Sequence, residues 1–191
     1  MTSPQKSKGN SWERTVAVFL SSLYESSFHR IPNSGAYVGG KNSIRKESLD
    51  TNQVKSFKGD IAAPDSWINF NSECKSYGDF PFHQVLAGSC KQLDTWLDQL
   101  MAVADQDDLN ILFVKINRKG KFVAVQSRYT WVTDQFMFYT SANQGDWILV
   151  DFDHFFKHNR DLLKAYSGST SNITHTEINI NPTTLTIDTT S

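Results

Sequence analysis

The chain has 191 residues, of which 39% are hydrophobic and 13% aromatic, so it contains enough apolar material for one folded domain with a sound core. Its formal net charge of -1 excludes a uniformly basic surface of the kind that many nucleic-acid-binding proteins carry. With two cysteines and no apolar run of transmembrane length, the sequence also excludes a disulfide framework and a membrane span, and we expect a cytoplasmic protein.

Positive charge is concentrated in the N-terminal third of the sequence. Residues 1–60 carry nine Lys or Arg against five acidic residues, a local charge of +4, whereas residues 61–126 come to -2 and residues 127–191 to -3. Clusters of Lys and Arg bind the phosphates of nucleic acids. We therefore expect any DNA-binding surface to lie towards the N-terminal portion.

The first predicted element is an amphipathic helix over residues 11–27, which follows a polar segment, residues 1–9, that we predict to be flexible. Five apolar residues recur at helical spacing and define its buried face: Trp12, Val16, Phe19, Leu20 and Leu23. Glu13 lies at the rim of that face. Its carboxylate either complements the positive helix N-terminus or belongs to an acidic site formed with distant residues.

A short strand at residues 28–31 leads into a basic loop, residues 35–58, that carries glycines, an aromatic residue and several cations. Such a loop can follow phosphates and stack on an exposed base, although the same composition also suits a solvated insertion. Because the loop ends directly before a candidate catalytic residue, we predict that it contacts DNA. The predicted contact residues are Tyr37, Lys41, Arg45, Lys46, Lys55 and Lys58.

The next two predicted strands, residues 60–63 and 67–75, bring acidic groups together. Side chains alternate along a strand, so Glu73 and Lys75 project from the same face. A turn between the strands would fold the segment that begins at Asp60 back beside Glu73. Two carboxylates bind a hard cation such as Mg²⁺, and a lysine can orient water or neutralise phosphate charge. The pattern indicates a metal site for phosphodiester hydrolysis, or else an exposed Glu-x-Lys pair.

The following elements predict a mixed sheet flanked by helices. Residues 83–104 carry an apolar stripe at helical spacing and are predicted to form one long helix. Residues 110–117 and 121–126 are predicted to be strands that form a hairpin across Arg118-Lys119-Gly120.

The C-terminal part of the sequence predicts additions to that core. Residues 129–140 and 147–152 are aromatic-rich strand candidates, and Asp153 could cap a helix after them. We expect residues 127–166 to extend the core or to build a dimer surface. Residues 167–191 are rich in Ser, Thr and Asn and are predicted to form a polar tail or an edge strand.

Six segments, in chain order, resemble the PD-(D/E)xK nuclease superfamily. They are Lys8-Gly9-Asn10-Ser11-Trp12-Glu13-Arg14, Arg30-Ile31-Pro32-Asn33-Ser34-Gly35-Ala36, Gly59-Asp60-Ile61, Glu73-Cys74-Lys75, Trp96-Leu97-Asp98-Gln99 and Ile111-Leu112-Phe113-Val114-Lys115-Ile116-Asn117-Arg118. The sequence is most similar to archaeal-type Holliday-junction resolvases and to resolvase-like endonucleases of phages, over roughly residues 8–126. The resemblance implies an α/β restriction-endonuclease-like core, residues 10–126, with the basic loop 35–58 inserted and a mixed central sheet flanked by helices.

The resemblance also implies roles for individual residues. Asp60 and Glu73 would hold a divalent metal ion, Mg²⁺ or Mn²⁺, and the Cys74 carbonyl could add a ligand. Glu13 would be the helix-borne acid that completes the metal site. Lys75 would be the catalytic lysine. Ser34 matches a serine that assists catalysis or grips a phosphate in the resolvases, although an ordinary Asn-Ser-Gly turn also accounts for it.

Two further residues are secondary site candidates. Gln99 would be a polar residue on the helix that packs near the metal strand. Lys115 would be a cation in an otherwise apolar strand, and a solvent-facing position is an adequate alternative for it. Asp65 and the proline before it match the letters "PD" in the superfamily name. An extended strand from Asp65 to Glu73 would, however, span roughly 26 Å. We therefore place the metal ligand at Asp60.

These residues lead us to expect a metal-dependent DNA endonuclease, with a Holliday-junction or branched-DNA resolvase acting as a homodimer as the first hypothesis. A sequence-specific duplex endonuclease of homing or restriction type would use the same catalytic residues and stays open. A catalytically inactive DNA-binding protein is a third class, which the presence of Asp60, Glu73 and Lys75 disfavours. We expect the protein to act on DNA in a bacterial or phage-infected cell.

Overall fold

The structure is a computed structural model that describes residues 4–32 and 58–168, with side chains from Gly9 onward. The described helices are α1 (Pro4–Tyr24), α2 (Phe82–Leu86), α3 (Lys91–Met101) and α4 (Phe152–Gly168). The described strands are β1 (His29–Arg30), β2 (Ile61–Ala62), β3 (Phe70–Tyr77), β4 (Leu109–Ile116), β5 (Gly120–Gln126), β6 (Met137–Ser141) and β7 (Gly145–Asp151).

Five of these strands form one mixed sheet in the order β3-β4-β5-β7-β6. β3 and β4 are parallel and are joined by a crossover through α2 and α3, whereas the other neighbouring pairs are antiparallel. Helices α1 and α4 pack on one face of the sheet, and α2 and α3 pack on the other. This architecture confirms the predicted fold class, a mixed central sheet flanked by helices.

Each face of the sheet has its own hydrophobic core. On one face, Trp12 of α1 packs in a cluster with Phe113 of β4 and Phe155 of α4. On the other face, Leu97 of α3 packs in a cluster with Trp147 of β7. β4 is buried over nearly its whole length because helices cover the sheet on both sides, which explains its almost continuous run of apolar residues.

Two helix predictions need correction. α1 begins at Pro4, so it includes part of the segment 1–9 that we predicted to be flexible. The long helix predicted over residues 83–104 is two helices, α2 and α3, separated at Gly88. Gly88 has a φ of +76°, a conformation that a continuous right-handed helix cannot contain. Leu86, an apolar residue within the predicted helix, is 77% exposed and does not belong to a buried face.

The pairing predicted for the segment that begins at Asp60 is also wrong. Instead of forming a hairpin with β3, β2 pairs in antiparallel fashion with β1, so that Arg30 lies opposite Ile61. The predicted turn is present, since the N–H of Trp67 donates to the Pro64 carbonyl at 2.8 Å, and β3 begins only after it. Asp60 nevertheless reaches β3 through single hydrogen bonds.

The C-terminal elements complete the sheet and cover it. The predicted β4–β5 hairpin is confirmed, whereas the strand predicted over residues 129–140 is reduced to β6. α4 begins at Phe152, two residues earlier than a helix capped by Asp153 would begin, and the Asp151 carboxylate, not that of Asp153, accepts main-chain N–H groups of the first turn at 3.0 Å. Within the described residues, α1 to α4 include no helix with the length and apolar character needed to cross a membrane.

Candidate active site

The candidate site lies at the outer edge of β3, where two residues of one face project together. The Lys75 ammonium donates to Glu73 Oε1 at 2.5 Å and to Gln99 Oε1 of α3, also at 2.5 Å. The intervening residue, Cys74, is buried in the core on the opposite face. The strand alternation therefore places Glu73 and Lys75 as the sequence predicts and brings Gln99 to the same point.

Asp60 approaches the same stretch of β3 from the side. Its Oδ2 atom accepts a hydrogen bond from the main-chain N–H of Cys74 at 2.8 Å, and its own N–H donates to the Ser72 carbonyl at 2.8 Å. These main-chain groups are available because Asp60 meets the edge of β3 that faces away from β4. Since the N–H and C=O of one strand residue point to the same edge, the Cys74 carbonyl faces the side occupied by Asp60.

Gly59 makes this close approach possible. Its φ is +70°, and a β-carbon added to it would lie 2.3 Å from the Ser72 carbonyl oxygen. Only glycine adopts such a conformation at low cost and leaves room for the neighbouring main chain. The Gly-Asp order in the sequence thus places the Asp60 carboxylate against the edge of β3.

Glu13 and Arg30 form the side of the site contributed by α1 and β1. The Arg30 Nε atom donates to Glu13 Oε2, and its second terminal nitrogen donates to Asn10 Oδ1 at 2.7 Å. Burial raises the pKa of Glu13; the hydrogen bond from Arg30 opposes this effect and the charge of Asp60 adds to it. Our sequence reasoning gave no role to Arg30 or Asn10, although both lie inside segments that carry the family resemblance.

The carboxylates of the site are electrostatically coupled. Burial is the largest cause that raises the pKa of Glu73, to about 7, and the charge of Asp60 raises it further while Lys75 lowers it. Glu13 also contributes a small raising effect. Three carboxylates thus interact with one another and with the cations Lys75 and Arg30, which leaves an excess of negative charge where a metal cation would be stabilised.

The donor set fits a magnesium-type ion. No group of three His, Cys, Asp or Glu side chains in the described part of the chain is already arranged around one metal position. Magnesium, however, needs only one or two carboxylates, because waters and phosphate oxygens complete its octahedral shell. Asp60 and Glu73, with the Cys74 carbonyl, offer hard oxygen ligands of this type. Glu13 is engaged by Arg30 and lies beside this pair.

Only the main chain of Cys74 can take part in this chemistry. The thiol is buried in the core, and burial, followed by the charges of Asp60 and Glu73, raises its pKa well above the ordinary value. A protonated, enclosed thiol is neither a nucleophile nor a metal ligand. This outcome agrees with our assignment of the Cys74 carbonyl, and not the sulfur, as a candidate ligand.

Two predicted residues lie elsewhere. Lys58, predicted to contact DNA, has a side chain that is only 5% exposed and is paired with Asp105 and Asp108, so this prediction is corrected. An ammonium enclosed by two carboxylates cannot also bind a phosphate at the surface. Lys115 is exposed on β4 and lies 5.8 Å from the ring of Trp12, which fits the solvent-facing alternative.

The remaining predicted residues fall outside the described part of the chain. They are Ser34, Tyr37, Lys41, Arg45, Lys46 and Lys55. Their roles in catalysis and DNA contact stay predictions. The described site therefore consists of residues from α1, β1, β3, α3 and the segment before β2.

Comparison with known protein families matches residues 4–165 to a family described as "Phage putative PDDEXK endonuclease". Searches of curated proteins and of solved structures gave no match. The matched region contains every described element except the last three residues of α4, and it contains all the residues that converge at the edge of β3. The chain therefore belongs to this family of phage endonucleases, within the PD-(D/E)xK nuclease superfamily.

Proposed function

We propose that this protein is a metal-dependent DNA endonuclease that cuts branched DNA, such as a four-way junction, as a homodimer. The observation that carries the proposal is the convergence of Asp60, Glu73 and Lys75 at the open edge of one strand. Carboxylates from two segments beside a lysine form the donor set that phosphodiester hydrolysis requires. The family of the chain supports an endonuclease of this type.

Asp60, Glu73 and the Cys74 carbonyl would hold the metal, Mg²⁺ or Mn²⁺. When bound, such an ion polarises the scissile phosphate and lowers the pKa of a coordinated water. The contribution of the protein is to supply the carboxylates already close together. Burial and then the charge of Asp60 raise the pKa of Glu73, and the repulsion between the two carboxylates would be relieved by a bound cation.

Lys75 is placed to act on the reacting groups. An ammonium has three N–H donors, and the structure uses two of them, for Glu73 and Gln99. These two hydrogen bonds fix the direction of the third N–H, which can orient the attacking water or donate to the phosphate as negative charge develops. Gln99 is a positioning residue in this account, because it contacts Lys75 and not the phosphate.

Arg30 supplies a second cation at the rim of the site. Two of its five N–H donors contact Glu13 and Asn10, and the planar guanidinium keeps further donors for a phosphate oxygen. With Lys75 on the other side, the scissile phosphate would lie between two cations and the metal. Glu13 then orients Arg30 and adds its charge to the acidic cluster.

The substrate assignment follows from symmetry and charge. A four-way junction with two-fold symmetry needs two matched cuts, which a homodimer supplies through two identical sites. We expect the cations concentrated in the N-terminal third of the sequence to contact the DNA backbone, and such contacts recognise branch geometry and not base sequence. A duplex endonuclease of homing or restriction type would instead read base edges in the major groove.

Cleavage of matched DNA substrates tests the proposal. Linear, nicked, forked and four-way DNAs of the same sequence are incubated with the protein and Mg²⁺, and Asp60→Asn serves as the inactive control. We expect paired cuts near the branch point of the four-way substrate and little cutting of the linear duplex. Discrete fragments from a long linear DNA, with no junction cleavage, would support the duplex endonuclease instead. No metal-dependent cutting of any substrate would contradict the enzyme proposal.

A further inference from the structure

Lys58 is a buried cation whose place in the chain connects it to the site. Its ammonium lies 2.7 Å from Asp105 Oδ2 and is also paired with Asp108, whose side chain is 4% exposed. Lysine is almost never buried to this degree unless it is paired. The interaction attaches the chain to the core two residues before Asp60.

The Asp108 end of this ion pair belongs to a firmly held part of the molecule. Asp108 directly precedes β4, the most deeply buried strand. Its carbonyl accepts hydrogen bonds from Arg128 at 2.9 Å and from the Tyr129 hydroxyl at 3.2 Å, and its carboxylate accepts the N–H of Asp105 at 2.5 Å. Lys58 is therefore tied to a fixed point on the central sheet.

Stability alone is a weak reason for burying this pair. Burial raises the pKa of Asp108 although Lys58 is in contact, so desolvation outweighs the attraction between the two charges. Buried ion pairs can often be replaced by apolar residues of similar volume without loss of stability. The need to position a residue near Lys58 explains better why two charged side chains are paired at this place.

That requirement is the position of Asp60. β2 has two residues and pairs with an equally short β1, so Asp60 does not lie in a long hydrogen-bonded ladder. Single hydrogen bonds connect it to Ser72, Cys74 and Ile31, at 2.8, 2.8 and 2.9 Å. Because β2 is so short, the orientation of Asp60 also depends on how the preceding residues enter this segment.

We propose that Lys58 and Asp108 are positioning residues that set the Asp60 carboxylate for metal binding. The inference rests on the proposed function, in which Asp60 is a metal ligand. Gly59 lies between Lys58 and Asp60 and, as a glycine, restricts backbone rotation least. Fixing Lys58 to Asp108 removes that freedom, so that the carboxylate meets the edge of β3 in one orientation.

Calorimetric titration with Mn²⁺, combined with thermal unfolding, separates positioning from stability. For Lys58→Met and Asp108→Asn we expect the Kd for Mn²⁺ to rise on the order of tenfold, with cleavage largely restored at saturating metal. Lys58→Arg keeps the charge and is expected to stay close to wild type. Lys121→Met is the matched control, because it removes a lysine paired with an exposed carboxylate, Asp153, and should leave the Kd unchanged.

The outcomes distinguish this inference from the proposed function. If Asp60→Asn abolishes Mn²⁺ binding while Lys58→Met and Asp108→Asn bind like wild type, the inference is overturned and the proposed function stands. If wild-type protein neither binds Mn²⁺ nor cuts DNA, both are overturned. Loss of the folded state in both Lys58→Met and Asp108→Asn would also overturn the inference, because the pair would then serve stability alone.

Discussion

The two carboxylates of the candidate metal site are held in contrasting ways. Glu73 lies in β3, an eight-residue strand that pairs with β4 along its whole length. Asp60 directly precedes β2, a two-residue strand, and reaches β3 through single hydrogen bonds to Ser72 and Cys74. A ladder distributes any disturbance over many bonds, whereas isolated contacts do not. The position of Glu73 should therefore be robust, and that of Asp60 should be sensitive to each neighbour.

The contrast also divides the site into a rigid part and a part that depends on individual neighbours. β3 carries Glu73 and Lys75 as a rigid unit, with Gln99 holding the lysine from α3. The Asp60 segment directly follows the residues that we predict to contact DNA. A change in the conformation of those residues would therefore act over a short stretch of chain on Asp60, one of the proposed metal ligands. Binding sites commonly combine a rigid scaffold with functional residues on connecting segments in this way.

The largest expected effects follow from removing either metal ligand. Asp60→Asn and Glu73→Gln should each lower Mg²⁺-dependent cleavage by roughly a thousandfold or more, because each removes an anionic ligand worth several kcal/mol of charge stabilisation. Cleavage rates under saturating DNA measure this, and circular dichroism checks that both variants fold. Full activity in either variant would remove that residue from the metal site, however strongly its carboxylate is held.

A smaller effect is expected for the lysine on the rigid side. Lys75→Ala should lower the turnover number by on the order of a hundredfold with little change in DNA affinity, because the ammonium acts on charge that develops in the transition state. Single-turnover cleavage and fluorescence anisotropy measure the two quantities separately. A variant that cuts at the normal rate but binds DNA weakly would reassign Lys75 to a phosphate contact.

Gly59→Ala tests directly how Asp60 is held against β3. The added methyl group would meet the Ser72 carbonyl oxygen at 2.3 Å, so we expect a loss of unfolding free energy of roughly 2 to 4 kcal/mol together with weaker Mn²⁺ binding. Gly145→Ala is the matched control: its φ is also +70°, but no described atom lies within 4 Å of the added carbon. Gly145→Ala should lose only the free energy that a β-carbon costs in this backbone conformation, about 1 to 2 kcal/mol, and it should bind Mn²⁺ normally.

The two alanine variants could lose the same free energy of unfolding. In that case the contact between the methyl group added at Gly59 and β3 costs nothing beyond the backbone strain that both variants share. Urea unfolding of the metal-free proteins gives both values. Normal Mn²⁺ binding by a folded Gly59→Ala variant would show that Asp60 does not depend on this approach.

The smallest effect concerns the pH dependence of the metal-free protein. The pKa of Glu73 is raised from its ordinary 4.5 to about 7 in the folded state. Below pH 4.5 the carboxyl is protonated in both states and adds no penalty. As the pH rises towards 7 the unfolded chain ionises first, so the folded state loses stability, and the loss is complete above pH 7.

Glu73→Gln removes this titration. Between pH 4.5 and pH 8, in EDTA, wild-type protein should lose roughly 2 to 3 kcal/mol of unfolding free energy relative to Glu73→Gln, and saturating Mg²⁺ should abolish most of the difference. Urea unfolding at several pH values measures both curves. Parallel curves would show that Glu73 does not carry the charge repulsion that we assign to the acidic cluster.

Periodic patterns in the sequence predicted much of the fold. The alternation around Glu73 and Lys75 identified the face on which both side chains lie, and the hairpin predicted for residues 110–117 and 121–126 is present as β4 and β5. The prediction of one long helix was wrong at Gly88. A single glycine in the left-handed region separates two helices there without disturbing the surrounding apolar pattern. Periodicity reports which residues are buried, and it does not report where a helix is interrupted.

The long-range pairings of the site were harder to predict. Asp60 was placed near Glu73 correctly, but through a hairpin, because sequence gives no signal that β1 is the partner of β2. Lys58 was assigned to DNA as part of the basic loop that ends before Asp60, and its buried carboxylate partner is fifty positions away at Asp108. Arg30 was given no role in the sequence analysis because its contact with Glu13 exists only in the folded protein.

The central claim is that Asp60 and Glu73, held by different parts of the chain, bind one metal ion. A crystal structure of the protein soaked in Mn²⁺, with anomalous diffraction data, tests it most directly. We predict one anomalous peak at the edge of β3, with oxygen atoms of both carboxylates roughly 2.0 to 2.3 Å away. A peak bound by only one of the two carboxylates, or located elsewhere on the molecule, would contradict the account.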